Sequence, residues 1–196
     1  MHVSREATVE QAGRLWSWWR GDPLVPLAPL QGLRVTAPDE VDVVQRLSGL
    51  SEAMLDERLR SAHRPYLAWL DATPVAYGWS AAGRTGFGSP PVTFDVPSGN
   101  RYLMDFATLP AWRGRGIYPR LLQAILTLES AGVERFWVLH HRENRASARG
   151  IEKAGLGRVA EIWFLAEGGL GLVGSGPDER VGAGARLLGL PIVGTI

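Results

Sequence analysis

Between Tyr66 and Ser80 the chain alternates with a period of two, broken once at Asp71–Pro74. Val75, Tyr77 and Trp79 fall on one side, and Ala76, Gly78 and Ser80 on the other. This predicts a hairpin of two half-buried strands, Tyr66–Leu70 and Val75–Ser80, with Asp71–Pro74 as its turn. Upstream, Leu33–Val35 reads as a short strand. Thr36 is placed to cap a helix with Pro38 in its first turn, and Val41, Val44 and Leu47 recur at helical spacing. Ser51 is placed to start a second helix carrying Met54, Leu55 and Leu59. Downstream, Arg101–Thr108 alternates again, with Tyr102, Met104, Phe106 and Thr108 on one face and Leu103, Asp105 and Ala107 on the other. Ile117, Leu121, Ile125 and Leu128 form a helical stripe. Val133–Leu139 is a strand, Ala146–Ala154 a short helix stopped by Gly155, and Arg158–Leu165 a strand. The order β-α-α-β-β-β-α-β-α-β predicts an α/β fold, a single mixed sheet with flanking helices.

Three stretches resist this pattern. Residues 1–32 crowd Leu15, Trp16, Trp18 and Trp19 together, and proline then recurs every third residue between Asp22 and Leu30. Proline fixes φ and removes a donor, so the second part is extended. The whole segment reads as an extension packed on a domain of residues 33–165. Residues 81–100, rich in Gly, Pro and Ser, read as a long connection. Residues 166–196 read as a glycine-rich tail, available to complete the sheet. Within that tail Gly169–Gly174 spells a dinucleotide-binding fingerprint, but Pro177, Gly182 and Gly184 argue against the helix such a site requires.

Composition narrows the function. The chain has 196 residues, 21 basic and 20 acidic, and a formal net charge of +1. That balance offers no broad attraction to nucleic acid or to anionic membranes. With no cysteine, thiolate nucleophiles and thiolate metal sites are excluded. His2, His63, His140 and His141 are scattered, so no metal site is expected. No apolar run approaches the ~20 residues of a membrane span, and Arg5, Glu6 and Glu10 stand where a signal core would be. The expectation is a cytoplasmic protein.

Two segments carry chemistry. In Asp105–Tyr118 a strand ends, an Arg–Gly turn follows and a helix begins. The first amides of a helix have no internal partner, and the dipole adds positive charge there, so phosphate oxygens are welcome. Gly114 and Gly116 let backbone approach, and Arg113 and Arg115 can neutralise a pyrophosphate. The second segment, Asn144–Leu156, puts Ser147, Ile151 and Ala154 on one helix face, with Gly150 inside the helix, where glycine costs about 1 kcal/mol.

Together, Arg113-Gly-Arg-Gly-Ile-Tyr118 and Asn144-x-x-Ser147 followed by Glu152-Lys-Ala-Gly-Leu156 resemble the GNAT superfamily of acyl-CoA-dependent N-acetyltransferases. The first is similar to that family's (Gln/Arg)-x-x-Gly-x-(Gly/Ala) motif and the second to its Asn-x-x-(Ala/Ser) helix. The likeness is specific over residues 101–165 and extends back to residue 33. It implies the acyl-CoA N-acyltransferase fold, in which two parallel strands splay apart and acetyl-CoA is the cosubstrate. Pantetheine would lie along Phe106, Ala107, Thr108 and Leu109. Pyrophosphate would sit on Arg113, Gly114, Arg115, Gly116, Ile117 and Tyr118, with Asn144 and Ser147 completing the cofactor site. A small-molecule or peptide amine would attack the thioester directly, with a backbone N–H at Thr108 holding the oxyanion. Two positions depart from the family pattern. Tyr118 stands where Gly or Ala is usual, and Ile151 where a tyrosine often protonates the departing thiolate.

Asp105, beside the expected thioester, is the candidate general base. A carboxylate among apolar residues reads equally well as half of a structural ion pair with an arginine. His140 and His141 read as a surface loop after the fifth strand. The functional expectation is an N-acetyltransferase using acetyl-CoA and a primary amine, with no nucleic-acid or membrane partner and with homodimers common among such proteins. The alternative is a coenzyme A-binding sensor or interaction module without turnover, and Ile151 keeps it open. The acceptor itself is not legible in any motif.

Overall fold

Alternation between Tyr66 and Ser80 becomes the hairpin of β3 (Arg64–Leu70) and β4 (Thr73–Ala81), with β2 (Leu33–Thr36) antiparallel on its outer edge. The computed structural model describes residues 10–39, 41–89 and 91–194. Residues 1–9, with His2, Arg5 and Glu6, lie outside the described residues, as do 195 and 196 of the tail. Between β2 and β3 run α1 (Asp42–Ser48) and α2 (Glu52–Arg60). Ser51 caps α2 through its hydroxyl, which accepts from the Met54 N–H. Thr36 does not cap α1, whose N-cap is Val41 with no side-chain bond. In α2 only Leu55 is buried, and Met54 and Leu59 face outward.

Residues 81–100 are more ordered than their composition suggests. Arg84–Phe87 (β5) and Val92–Asp95 (β6) pair as a separate small hairpin. β7 (Asn100–Thr108) then returns to the main sheet beside β4. A short 3-10 turn at Pro110–Trp112 leads to α3 (Ile117–Glu129), and β8 (Arg135–His141), α4 (Arg145–Lys153) and β9 (Gly157–Phe164) follow. Ile117, Leu121 and Ile125 of the predicted stripe are buried, while Leu128 is exposed.

The ends of the chain depart most from expectation. Gln11–Trp19 is not an attached extension but strand β1, antiparallel to β8 on one side and to β9 on the other. The eight-stranded order is β10-β9-β1-β8-β7-β4-β3-β2, with β10 at Leu170–Gly174. A strand covered on both faces reads as a continuous apolar run rather than an alternation. Leu15 and Trp16 are both buried, yet on opposite faces. The proline stretch after β1 runs over α3, where Gln123 Nε2 donates to Val25 O (2.7 Å) and the Arg120 guanidinium donates to Ala28 O.

In the tail, Asp178–Leu188 forms helix α5 despite Gly182 and Gly184. A Cβ on Gly184 would lie 2.7 Å from Leu15 Cδ2, so that glycine lets α5 approach β1. Of the fingerprint glycines, Gly171 and Gly174 fall within β10 and Gly169 in the turn before it, so the motif does not span a strand–helix turn as a dinucleotide cradle requires. The core has two sides. Trp16, Leu103, Ile125, Phe136 and Ile151 pack under α3 and α4. Leu15, Phe94, Tyr102, Trp137 and Leu187 pack under α5 and the small hairpin, while Val44, Leu55, Leu67 and Trp79 join α1 and α2 to the sheet.

Candidate active site

β7 and β8 are the parallel pair, and they stay together only from Asn100↔Arg135 to Leu103↔Val138. Beyond Leu103 they part. On its other edge β7 pairs Met104 with Trp79 and Ala107 with Tyr77, so three steps on β7 face two on β4. Asp105 lies in this bulge with φ +49°, the left-handed region. An extra residue reverses the alternation that follows it. Phe106 therefore joins Leu103 on the α3 face instead of sharing a face with Tyr102 and Met104, as simple alternation predicts.

The parted strands leave a cleft of about 700 Å³. Its walls include Asp105, Phe106, Ala107, Thr108, Arg113, Gly114, Gly116, Ile117, Tyr118, Asn144 and Ser147. Leu109 and Arg115 are not among them. The Leu109 N–H donates to Val75 O (2.9 Å), and Arg115 stacks on the Trp112 ring at 4.7 Å. Because Leu109 N–H points toward β4, antiparallel alternation turns the Thr108 N–H to the opposite, parted edge. Arg113 Nε donates to Thr108 O at 3.1 Å and so ties the Arg–Gly turn to the end of β7.

At the start of α3 the N-cap is Gly116, φ +70°, with no side-chain cap. The first-turn amides of Ile117 and Tyr118 thus have no side-chain cap. Asn144 is itself the N-cap of α4, its Oδ1 accepting from Ser147 N–H at 2.9 Å. That bond uses its acceptor and leaves the amide NH₂.

Tyr118 spans the cleft from α3 to α4. Its hydroxyl lies 3.3 Å from Ser147 Oγ, its ring 5.3 Å from that of Phe106, and a Cβ on Gly150 would come within 2.3 Å of it. The mid-helix glycine thus accommodates a ring that a smaller residue at 118 would not bring. Burial pushes the Tyr118 phenol up to about 12, so it is protonated at neutral pH. Ile151 is fully buried on the inner face of α4 and offers no proton.

His140 is a correction. It lies within β8, buried, and lines the cleft, rather than in a surface loop. Its Nδ1–H donates to His141 O (2.9 Å), which fixes the tautomer and leaves a lone pair on Nε2. Nε2 has no partner among the described residues, and burial lowers the pKa. The one signal in the sequence was that it directly follows the predicted strand Val133–Leu139, which in the structure runs on to His141.

Asp105 faces the opposite side as well. A second cavity, about 280 Å³, is lined by Ser48, Leu50, Arg58, Tyr77, Asp105 and Phe106. Here the Asp105 carboxylate accepts from Arg58 Nη2, and about half of the Asp105 side chain remains exposed. Among the described residues no cluster of His, Asp and Glu is arranged to hold a metal ion. No helix among them is long and apolar enough to cross a membrane.

Comparison with known proteins agrees with this geometry. The family model for the acetyltransferase (GNAT) family matches residues 34–156. Among solved structures, a GCN5-related N-acetyltransferase from Sphaerobacter thermophilus superposes with a TM-score of 0.57 at 16% identity, covering 79% of this chain and 51% of that one. A GNAT-family acetyltransferase from Colwellia psychrerythraea gives 0.56 at 14% identity, over 80% and 56%. A GCN5-related N-acetyltransferase from Kribbella flavida gives 0.54 at 17% identity, over 77% and 56%. At these identities the likeness speaks for the fold, and the chain spans about half the length of these proteins. No curated protein sequence matches the chain. The family match covers β2 to β8 with α1 to α4, the whole of both cavity walls, and on that match the chain belongs to the acetyltransferase (GNAT) family.

Proposed function

We propose that this protein transfers the acetyl group of acetyl-CoA to a primary amine by direct attack. The observation that carries the reading is that two cavities on opposite sides of β7 share Asp105 and Phe106. Acetyl-CoA takes the larger cleft, with its pyrophosphate on the uncapped α3 amides and its thioester beside the bulge. The amine takes the smaller cavity.

An alkylammonium is no nucleophile until it loses a proton, and Asp105 is the carboxylate at the junction. The amine nitrogen attacks the thioester carbon and the carbonyl oxygen becomes an oxyanion, held by the Thr108 N–H. On collapse the C–S bond breaks and coenzyme A leaves as thiolate. Of the two protons the nitrogen sheds, one ends on that sulfur and the other passes through Asp105 to solvent.

The test is Asp105→Asn. Asn tolerates the left-handed region better than most residues, so the bulge is retained while the carboxylate is removed. Turnover at neutral pH should fall about 10²–10⁴-fold with coenzyme A affinity retained, and recover as pH rises and more amine is free. Near-normal turnover at neutral pH would make Asp105 structural. A second reading, a coenzyme A-binding module without turnover, draws on Tyr118 crowding the cleft and Ile151 offering no acid. It predicts acetyl-CoA binding with no acetylated product from any amine.

A further inference from the structure

We infer that the acceptor amine carries a carboxylate on the carbon next to its nitrogen, as an α-amino acid does. This rests on the acetyl-transfer reading above and concerns the small cavity alone. Asp105 and Arg58 both line that cavity and are paired with each other. Arg58 is largely shielded: its guanidinium lies over the Trp79 ring at 5.0 Å, and its side chain is only 14% exposed. Yet the fork is poorly used. Nη2 serves Asp105, while Nη1 is shielded and unpartnered among the described residues. A guanidinium has five N–H donors in a planar fork that fits a carboxylate bidentately. A shielded, unpartnered donor is costly, which favours a ligand that draws the fork into the cavity and satisfies it.

A zwitterion does this without changing the net charge of the site. Its carboxylate takes Arg58, and its ammonium takes the Asp105 oxygens that Arg58 releases. The amine then arrives on the group that accepts its proton. Because Arg58 and Asp105 touch, the two charges of the ligand must also be neighbours. An α-amino acid meets that condition. A polyamine has no anion, and the first residue of a peptide has no adjacent carboxylate. The other walls are Ser48, Leu50, Tyr77 and Phe106, so the side chain that fits is mainly apolar or aromatic, with one hydroxyl beside it.

The experiment compares phenylalanine, phenylalaninamide and phenethylamine, and likewise leucine, leucinamide and 3-methylbutylamine, as acceptors for acetyl-CoA. Rates are corrected to the concentration of free amine. The free acid should exceed the other two by roughly 10- to 100-fold in kcat/KM. In Arg58→Gln that preference should collapse toward unity while the KM for acetyl-CoA stays unchanged, a result that general loosening of the fold would not give. Calorimetry of the same ligands with coenzyme A present separates recognition from transfer. If the acid alone binds and no product forms, acetyl transfer fails and carboxylate recognition stands. Equal handling of acid, amide and amine within about threefold, or no binding of the acids, overturns the inference.

Discussion

The two edges of β8 make opposite use of the same strand. Toward β1 it is laddered from Arg135 to His141, seven residues in register with Trp19 to Gly13. Toward β7 it is paired only from Arg135 to Val138 and then left open. The closed edge is flanked by Leu15, Trp16, Trp18 and Phe136, all buried. The open edge carries a left-handed Asp105 and the cleft. A ligand site needs backbone that is not already paired, and such backbone stays fixed only if its strand is anchored elsewhere. β1 supplies the anchor, and it comes from outside residues 34–156, the span that matches the family.

The largest expected effect follows from removing that anchor. Trp16→Ala should cost about 3–5 kcal/mol, the range for a buried tryptophan, against a total of about 5–15 kcal/mol for a domain. Deleting Gln11–Trp19 should abolish cooperative unfolding altogether, because it bares an edge of both β8 and β9. Thermal unfolding by circular dichroism reads both. A chain lacking β1 that still unfolds cooperatively and binds coenzyme A would show that the closed edge is dispensable.

Perturbing the open edge should do the reverse, changing binding more than folding. Gly116→Glu places a carboxylate at the α3 N-cap, where pyrophosphate is expected, and should weaken coenzyme A by about 10²-fold or more. Gly116 has φ +70°, so any side chain there costs about 1–2 kcal/mol of backbone strain. Gly116→Ala carries the strain without the charge and is the control. Calorimetry showing equal losses in the two would assign the effect to backbone rather than to anion binding.

How much of this was legible in the sequence follows the same division. Asp105–Tyr118 and Asn144–Leu156 were readable because local rules fix them: a strand end, glycines at positive φ, an Asn cap. The β3–β4 hairpin was readable from alternation and its turn. β1 was not, because burial on both faces erases alternation, and its Trp-rich run says nothing about which strands it separates. The bulge at Asp105 was also hidden. Arg101–Thr108 alternates without a break, and only the pairing with β4 inserts the extra step. α5 ran against its local propensity, since Gly182 and Gly184 weaken an isolated helix, while close contact with Leu15 and Trp137 rewards Gly184. The pairing of Arg58 with Asp105 joins residues 47 apart and has no local signature.

The smallest expected effect is also the one that compares the two regions directly. His140 sits at the end of the closed ladder, opposite Arg14. His63 lies near the acceptor cavity, with Arg58 and Asp105 among the charges that act on it and its Nε2 bonded to Arg84 O at 3.1 Å. Burial lowers the pKa of both. The unfolded chain, with ordinary histidines near 6.5, therefore takes up protons that the folded chain refuses. Stability from this source is fully present above about pH 6.5 and is lost as pH falls toward the folded values. Below those values it changes no further. Urea midpoints should accordingly decline between pH 7.5 and 5, before carboxylate titration dominates. His140→Asn keeps a donor for the His141 carbonyl, and His63→Gln keeps a group able to reach Arg84 O, so each variant removes a titration with little loss of packing. If the closed edge dominates stability, His140→Asn should flatten the pH profile more than His63→Gln. The reverse ranking would locate the acid-sensitive contact on the acceptor side. In that case protonation at His63 would also place a positive charge beside Arg58, and the preference for a carboxylate-bearing amine should sharpen as pH falls.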